Sequence, residues 1–272
     1  MYGLVGLVEE GITFSSPASF QKILAIIKKG QGASIKITIP EGRASWEIYS
    51  ILKKHYPQLD SNKWEQLVHS PDFAKKLGLP SKNLEGFLLP ETYQLPLNVD
   101  ETYLLSYLTK QHFKVWNSLS KTNSTPFNQV KHLGIVTLAS IVEEETAVES
   151  ERSNIAGVFW NRTLKRMPLG ADPTVRFIYR NLDGPIYRSQ LNSNSPYNTR
   201  KFAGLPPGPI SNPGKASLLA ALDPGSTKDL YFVGKDDGSR EHFFSSTLKD
   251  HNRYKDIAAG NRKKYGTAKG LY

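Results

Sequence analysis

The chain of 272 residues contains no cysteine, which excludes disulfide bonds, thiolate metal sites and cysteine nucleophiles. It also has no apolar run near the roughly 18 residues of a membrane-spanning helix. The opening "MYGLVGLVEE" is too short and too acidic at its end to be a signal peptide. The composition is otherwise that of an ordinary globular protein, so we expect one large folded domain or two smaller ones.

Acidic residues are outnumbered by basic ones, and the formal net charge is +10. A basic chain favours a polyanionic partner, such as nucleic acid, an anionic membrane surface or an acidic envelope polymer. Nucleic-acid binding would require a basic stripe or a recognisable binding motif. The lysines and arginines are scattered along the chain, so we predict no nucleic-acid partner.

Periodic patterns predict a mixed α+β fold. Isoleucines alternate with polar residues over 35–39, a half-buried strand pattern, and amphipathic helices are predicted over 100–119 and 129–165. Residues 166–214 are rich in Gly, Pro and Asn, which indicates long loops of the kind that carry function. Residues 229–245 indicate two strands joined by an Asp-Gly turn.

Five glutamates lie between Ser140 and Arg152 in this otherwise basic chain. If residues 133–163 form one helix, Glu145 lies in the middle of its apolar stripe, while Glu143 falls about 160° and Glu144 about 100° away. Glu143 and Glu144 are then predicted to be solvated and Glu145 to be buried or in a cleft. Burial would raise the pKa of Glu145 and let it donate a proton near neutral pH.

The alternative for the same face is structural. Glu149 and Arg152 share the stripe with Glu145, so Arg152 could neutralise either glutamate in an ion pair, and such pairs perturb pKa values as well. A carboxylate metal site is disfavoured because adjacent helical residues point apart, and His242 and His251 are better read as surface or network histidines. We therefore predict no metal.

Several motifs in the same order resemble the YceG-like family, the MltG endolytic murein transglycosylases. The longest is "ASIVEEETAVESERSNIAGVFWNRTLKRMPLGADPTV", and four shorter stretches match before and after it. These are "EGFLLPETY", "YNT", "GLPPGPISNPG" and "HFFSSTLKDHN". The resemblance covers nearly the whole chain and rests on several independent motifs.

The resemblance implies a lytic transglycosylase that cuts the β-1,4 bond between N-acetylmuramic acid and N-acetylglucosamine and leaves a 1,6-anhydro end. It places the catalytic glutamate at Glu145, acting first as acid and then as base, with no cofactor. It also implies substrate contacts from Asp172 and from Tyr197, Asn198 and Thr199, with turn capping as the alternative for Asp172. Glu149 and Arg152 are expected to support Glu145.

The resemblance also predicts organisation and context. Residues 1–42 resemble the second half of a LysM-like unit, and residues 43–272 the transglycosylase domain, with a catalytic core over about 126–255 and a long catalytic helix beside a cleft. Family members carry a single membrane anchor, which we expect to be missing from this chain. The implied place is the outer face of the bacterial cytoplasmic membrane, with nascent glycan strands as substrate and membrane-bound peptidoglycan synthases as partners.

Some positions depart from the family pattern. Gly170 and Ala171 replace a usual Gln and Ser or Thr, Arg200 replaces the commoner Tyr, and Glu91 stands where Asp is usual. Glu85 and Glu91 are further candidates for the cleft, although turn or capping roles are favoured. Two alternative functions stay open at this point: a hydrolytic muramidase that uses the same acid, and a wall-binding module without activity.

Overall fold

The computed structural model describes residues 33–121, 129–180, 182 and 184–266. Ten α-helices and four strands lie in these residues, so the fold is mixed, as the sequence predicted. The first half consists of β1 (Ser34–Thr38), α1 (Ser45–Lys53), α2 (Ser61–Val68), α3 (Pro71–Lys76), β2 (Thr92–Pro96) and α4 (Glu101–Lys121). The second half consists of α5 (Gln129–Glu145), α6 (Arg152–Leu164), α7 (Asp172–Ile178), α8 (Arg188–Leu191), α9 (Lys215–Leu222), β3 (Tyr231–Gly234), β4 (His242–Ser245) and α10 (Leu248–Tyr265).

The first sheet joins two segments that are distant in sequence. Strands β1 and β2 pair antiparallel, with Ile37 opposite Tyr93, and both of these side chains are buried. The LysM-like unit predicted over residues 1–42 lies mostly outside the described residues. Its described strand, β1, is hydrogen-bonded to β2, which belongs to the segment assigned to the second domain.

One hydrophobic core runs through both halves of the described chain. Helices α1 to α4 contribute buried residues such as Ile48, Trp64 and Leu104, and the later helices contribute Ile141 and Phe159. Helix α9 packs against α5 and α6, and α10 packs against the β3–β4 hairpin. These contacts place the end of α5 beside the hairpin, where the candidate site forms.

The single long helix predicted over residues 129–165 is wrong. Helix α5 ends at Glu145, a 3₁₀ turn covers Glu149–Glu151, and α6 starts at Arg152. Thr146 is buried and its hydroxyl accepts a hydrogen bond from the backbone N–H of Val148 at 2.9 Å. A side chain that binds the backbone in this way competes with the helical hydrogen bonds. The apolar periodicity continues past the break because α6 contributes to the same core.

A buried carboxylate ties the first half to the proline-rich loop. Glu85 accepts hydrogen bonds from the backbone N–H and the hydroxyl of Ser45, and from the side-chain amide of Asn212. The Asn212 amide also donates to the carbonyl of Arg43, and its oxygen accepts the N–H of Leu88. Glu85 therefore has the capping role favoured from the sequence and lies away from the candidate site.

Candidate active site

A cavity of about 640 Å³ lies where α5 ends, between α6, the start of α7, the β3–β4 hairpin and the start of α10. Its lining combines carboxylates, cations and aromatic rings: Glu145, Asp172, Arg162, Arg200, Lys255, His242, His251, Phe159, Tyr231 and Phe232. Polar groups that surround aromatic faces are suited to a ligand with hydroxyl and amide groups.

Glu145 is the last residue of α5 and lines this cavity. Burial is the main cause that raises the pKa of its carboxyl to about 8, and the negative charge of Asp172 contributes to the increase. The carbonyl end of a helix also disfavours a nearby negative charge. The charges of Arg162 and Arg200 act in the opposite direction but do not cancel the burial. Glu145 is therefore largely protonated at neutral pH.

The Glu145 carboxyl has no hydrogen-bond partner among the described residues, although it is only partly exposed. Its hydrogen-bonding capacity is directed at the cavity and not at the protein. A protonated carboxyl with one free donor and free acceptor sites can meet a ligand directly. This combination of a retained proton and an unused hydroxyl is what a general acid requires.

Asp172 starts α7 and forms an ion pair with Arg200 at the mouth of the cavity. Both side chains are more than 40% exposed, so neither is committed to the core. Arg162, by contrast, is held in place because its guanidinium donates to the carbonyls of Leu230 and Leu169. The cavity thus has one exposed charge pair at its edge and one cation in its wall that is held by backbone carbonyls.

Asn198 and Thr199 are buried, and their polar atoms bond within the protein. The Asn198 amide donates to the carbonyls of Leu191 and Ser193 at 2.9 Å each. The Thr199 hydroxyl accepts the backbone N–H of Ala171 at 3.1 Å. In the structure these polar groups bind within the protein and shape the loop that positions α7, and they do not line the Glu145 cavity.

Gly170 shows why the chain can turn into α7 at this point. Its φ of +68° lies in the left-handed region, and a Cβ there would approach the Arg162 guanidinium to 3.3 Å. Its N–H also donates to the carbonyl of Thr199. The glycine that replaces the usual family residue thus fits a backbone requirement at the cavity wall.

Tyr197 and Glu149 do not line the Glu145 cavity. Tyr197 is partly buried and packs against Phe177 with ring centroids 5.0 Å apart. Glu149 is exposed in the 3₁₀ turn. Of the six residues predicted to accompany Glu145, only Asp172 joins it in the cavity.

Arg152 pairs with Glu143, not with Glu145 or Glu149. The guanidinium lies 3.0 Å from Glu143 and 3.7 Å from Glu41, and the Glu143 side chain is only 5% exposed. The backbone N–H of Gly214 also donates to Glu143 at 2.9 Å. The prediction that Glu143 is solvated is therefore wrong, because the break after Glu145 folds Arg152 back over it. Glu144 is exposed as a residue, but its carboxyl lies against the protein, and burial raises its pKa to about 7.

The sequence analysis missed a carboxylate–histidine pair at the cavity. Glu151 accepts the backbone N–H of His242 at 2.8 Å and lies 2.7 Å from its Nδ1, and both side chains are nearly buried. His242 also lines the cavity. A signal existed in the sequence, since Glu151 and His242 both fall within the quoted motifs, but they are 91 positions apart.

A candidate metal site and a candidate membrane-spanning helix are both absent from the described residues. Among the described residues, no group of three or more His, Asp or Glu side chains is arranged to hold a metal ion. No helix in the described ranges has the length and hydropathy needed to cross a membrane.

Comparison with known proteins identifies the family. A sequence model of the YceG-like family matches residues 11–257. The chain belongs to the YceG-like family. Its fold is similar to a crystal structure described as a yceG-like protein from Listeria monocytogenes. The TM-score is 0.70 and the identity 30%, over 86% of this chain and 80% of that one.

Curated relatives carry a functional name. The chain is 39% identical over 216 residues to the endolytic murein transglycosylase of Bacillus subtilis (strain 168), which covers 78% of this chain and 56% of that protein. It is 29% identical over 178 residues to the endolytic murein transglycosylase of Streptococcus pneumoniae (strain ATCC BAA-255 / R6), which covers 62% of this chain and 31% of that protein. The chain thus spans between about a third and just over half of these relatives.

Proposed function

We propose that this chain is an endolytic peptidoglycan lytic transglycosylase and that Glu145 is its catalytic acid and base. The observation that carries the proposal is the Glu145 carboxyl, which keeps its proton to about pH 8, has no hydrogen-bond partner in the described protein and lines the cavity. The names of the Bacillus and Streptococcus relatives support the substrate class.

The proposed reaction uses one carboxyl in two steps. Protonated Glu145 donates its proton to the glycosidic oxygen, and the bond from that oxygen to C1 of the muramic acid breaks. The Glu145 carboxylate then takes the proton of the C6 hydroxyl as O6 forms a bond to C1. The 1,6-anhydro ring closes, Glu145 regains its proton and no water is consumed. The nucleophile belongs to the substrate, so little entropy is lost in bringing it to C1.

The charges of the cavity are suited to this substrate. Arg200 and Asp172 at its mouth offer exchangeable partners for sugar hydroxyls or for the acidic stem peptide. Arg162 in the wall lowers the free energy of the Glu145 carboxylate when it forms. Hydrolases of this class usually place a second carboxylate where it can activate water or attack C1. In the lytic reaction no second carboxylate is needed.

The wider context is part of the same proposal. We assign residues 43–272 to the transglycosylase domain and residues 1–42 to part of a LysM-like unit. The site of action is the bacterial cell envelope, at the outer face of the cytoplasmic membrane, where the enzyme would terminate nascent strands beside membrane-bound synthases.

Mass spectrometry of glycan digests tests the reaction. Uncrosslinked glycan strands treated with the wild-type chain should yield 1,6-anhydromuramic ends, and Glu145→Gln should yield none while it still binds sacculi. Reducing muramic ends in place of anhydro ends would establish a hydrolytic muramidase. Equal product from both proteins would show that Glu145 is not the acid, and absence of product from both would favour a binding module.

A further inference from the structure

Besides Glu145, the cavity is lined by another titratable side chain, His242, that is held by hydrogen bonds within the protein. His242 lies at the start of β4, and Glu151 lies at the end of the 3₁₀ turn. One oxygen of the Glu151 carboxylate accepts the backbone N–H of His242, and the other lies 2.7 Å from Nδ1 of the same histidine. Such a two-point contact fixes both the position of the strand and the orientation of the ring.

The contact with Glu151 also fixes the tautomer of His242. An ionised carboxylate only accepts hydrogen bonds, so the proton of the neutral imidazole must lie on Nδ1. Nε2 then presents a lone pair. No described protein group hydrogen-bonds to Nε2, and His242 lines the cavity. The free lone pair is therefore available to a ligand in the cavity.

Aromatic contacts hold the ring plane as well. Phe232 on the opposite strand meets His242 edge to face, with centroids 5.5 Å apart and an interplanar angle of 83°. Phe159 from α6 packs against Phe232 in the same way. The histidine is thus held from the carboxylate side and from the aromatic side, and its free nitrogen is preorganised before a ligand arrives.

We infer that His242 is a substrate-binding residue whose Nε2 accepts a hydrogen bond from a sugar hydroxyl in the Glu145 cavity, and that Glu151 is its positioning residue. The acidic groups of the substrate have other partners, since Arg162, Arg200 and Lys255 line the same cavity. A neutral acceptor among these cations is suited to a hydroxyl donor. The inference rests on the proposed function for its substrate class, a glycan.

Glu151→Gln provides a nearly isosteric test. The amide oxygen of the new side chain can still accept the backbone N–H of His242, but its NH₂ group must donate to Nδ1. The imidazole proton then moves to Nε2, and the acceptor becomes a donor. The fold is retained and only the character of the free nitrogen changes. Imidazole ¹⁵N NMR should find the proton on Nδ1 in the wild type and on Nε2 in this variant.

Kinetics on uncrosslinked glycan strands give the functional readout. His242→Phe, which retains a ring against Phe232, should lower kcat/KM about tenfold, chiefly through KM, because it removes one substrate hydrogen bond. Glu151→Gln should lower kcat/KM by a smaller factor, still more than about twofold, because the sugar hydroxyl must turn from donor to acceptor to keep the bond. The double variant should be no worse than His242→Phe alone, since both changes act on the same contact. The matched control is Glu241→Gln, whose carboxylate pairs with Lys235 on the same hairpin and should leave kcat/KM unchanged.

Three results would overturn the inference: a wild-type proton on Nε2, variants within twofold of the Glu241→Gln control, or additive losses in the double variant. A purely structural histidine would lower the melting temperature and leave KM of the folded fraction unchanged. If His242→Phe does not fold, Glu151→Gln carries the test. This inference and the proposed reaction can fail independently. Binding of glycan strands, measured with Glu145→Gln as the parent protein, should weaken when His242 is also replaced, whether or not the wild type makes anhydro ends.

Discussion

Two buried glutamates show how one physical effect serves two purposes. Glu85, beneath the proline-rich loop, and Glu145, at the cavity, both have a raised pKa, to about 7 and about 8, and burial is the main cause for both. Glu85 accepts hydrogen bonds from Ser45 and Asn212. Glu145 accepts none from the described protein. A raised pKa marks a desolvated carboxyl, and the unused hydrogen-bonding capacity distinguishes the candidate catalyst from the structural group.

The largest effect is expected from Glu145→Gln. Loss of the only proposed acid and base should lower the rate of glycan cleavage by a factor on the order of 10²–10⁴, the usual contribution of general acid–base catalysis. The stability of the variant relative to the wild type should increase as the pH rises above 4.5 and level off above about pH 8, because the wild-type fold must keep Glu145 protonated or bury its charge. Product yield by mass spectrometry and thermal melting at pH 8.5 measure the two effects. A variant that cleaves at the wild-type rate would remove the distinction between the two glutamates.

Glu85→Ala should lower the stability of the protein and leave glycan cleavage nearly unchanged, the reverse of Glu145→Gln. The change leaves the buried donors of Ser45 and Asn212 without an acceptor, which costs about 2–4 kcal/mol of unfolding free energy. Glu85→Gln should cost less, because its amide oxygen can still accept one of these bonds. Urea unfolding gives the stability, and the protein that remains folded should cleave glycan at nearly the wild-type rate. Lost cleavage at full stability would show that Glu85 acts in the chemistry.

Asp172→Asn should shift the pH dependence of the reaction. Activity requires protonated Glu145, so it should fall as the pH rises through about 8 in the wild type. The charge of Asp172 raises the pKa of Glu145, and its removal, which also frees the charge of Arg200, lowers that pKa. The alkaline limb of the kcat profile should therefore move to lower pH. A shift to higher pH would contradict this electrostatic account.

The smallest effect is expected from Glu144→Gln. Burial raises the pKa of Glu144 to about 7, so part of its charge is already absent at neutral pH. That charge is a weaker influence on the Glu145 pKa than the charge of Asp172. The alkaline limb should move in the same direction as in Asp172→Asn but less, with cleavage at neutral pH within about twofold. This neighbour in sequence is the matched control for Glu145→Gln. A large loss of activity would place Glu144 in the site.

Local periodicity predicted part of the site and failed where the chain turns. Within α5 the apolar stripe of Leu138, Ile141 and Val142 gave the correct phase for Glu145. The same helical projection predicted Glu143 to be solvated, because it assumed that the helix continues through Thr146. It could not show that Arg152 folds back and pairs with Glu143. Side-chain competition for backbone hydrogen bonds leaves no trace in hydrophobic periodicity.

The motif residues beyond α5 show a similar division. Asp172 was predicted at the site and lines the cavity, whereas Asn198 and Thr199 were predicted as substrate contacts and are buried. A sequence motif gathers residues that touch ligand and residues that hold the loop in place. Their separation depends on which hydrogen bonds the surrounding chain satisfies, and that is known only from the structure.

The sequence by itself determined the family, most of the elements and the position of Glu145 on the inner face of α5, because these depend on local spacing and on contiguous motifs. Tertiary structure decided which carboxylates find partners within the protein. It gave Glu85 and Glu143 their donors and left Glu145 with none, and it brought His242 to Glu151 across 91 positions. Burial and hydrogen bonding are set by the packing of distant segments, so the chemistry of each glutamate was fixed only when the chain had folded.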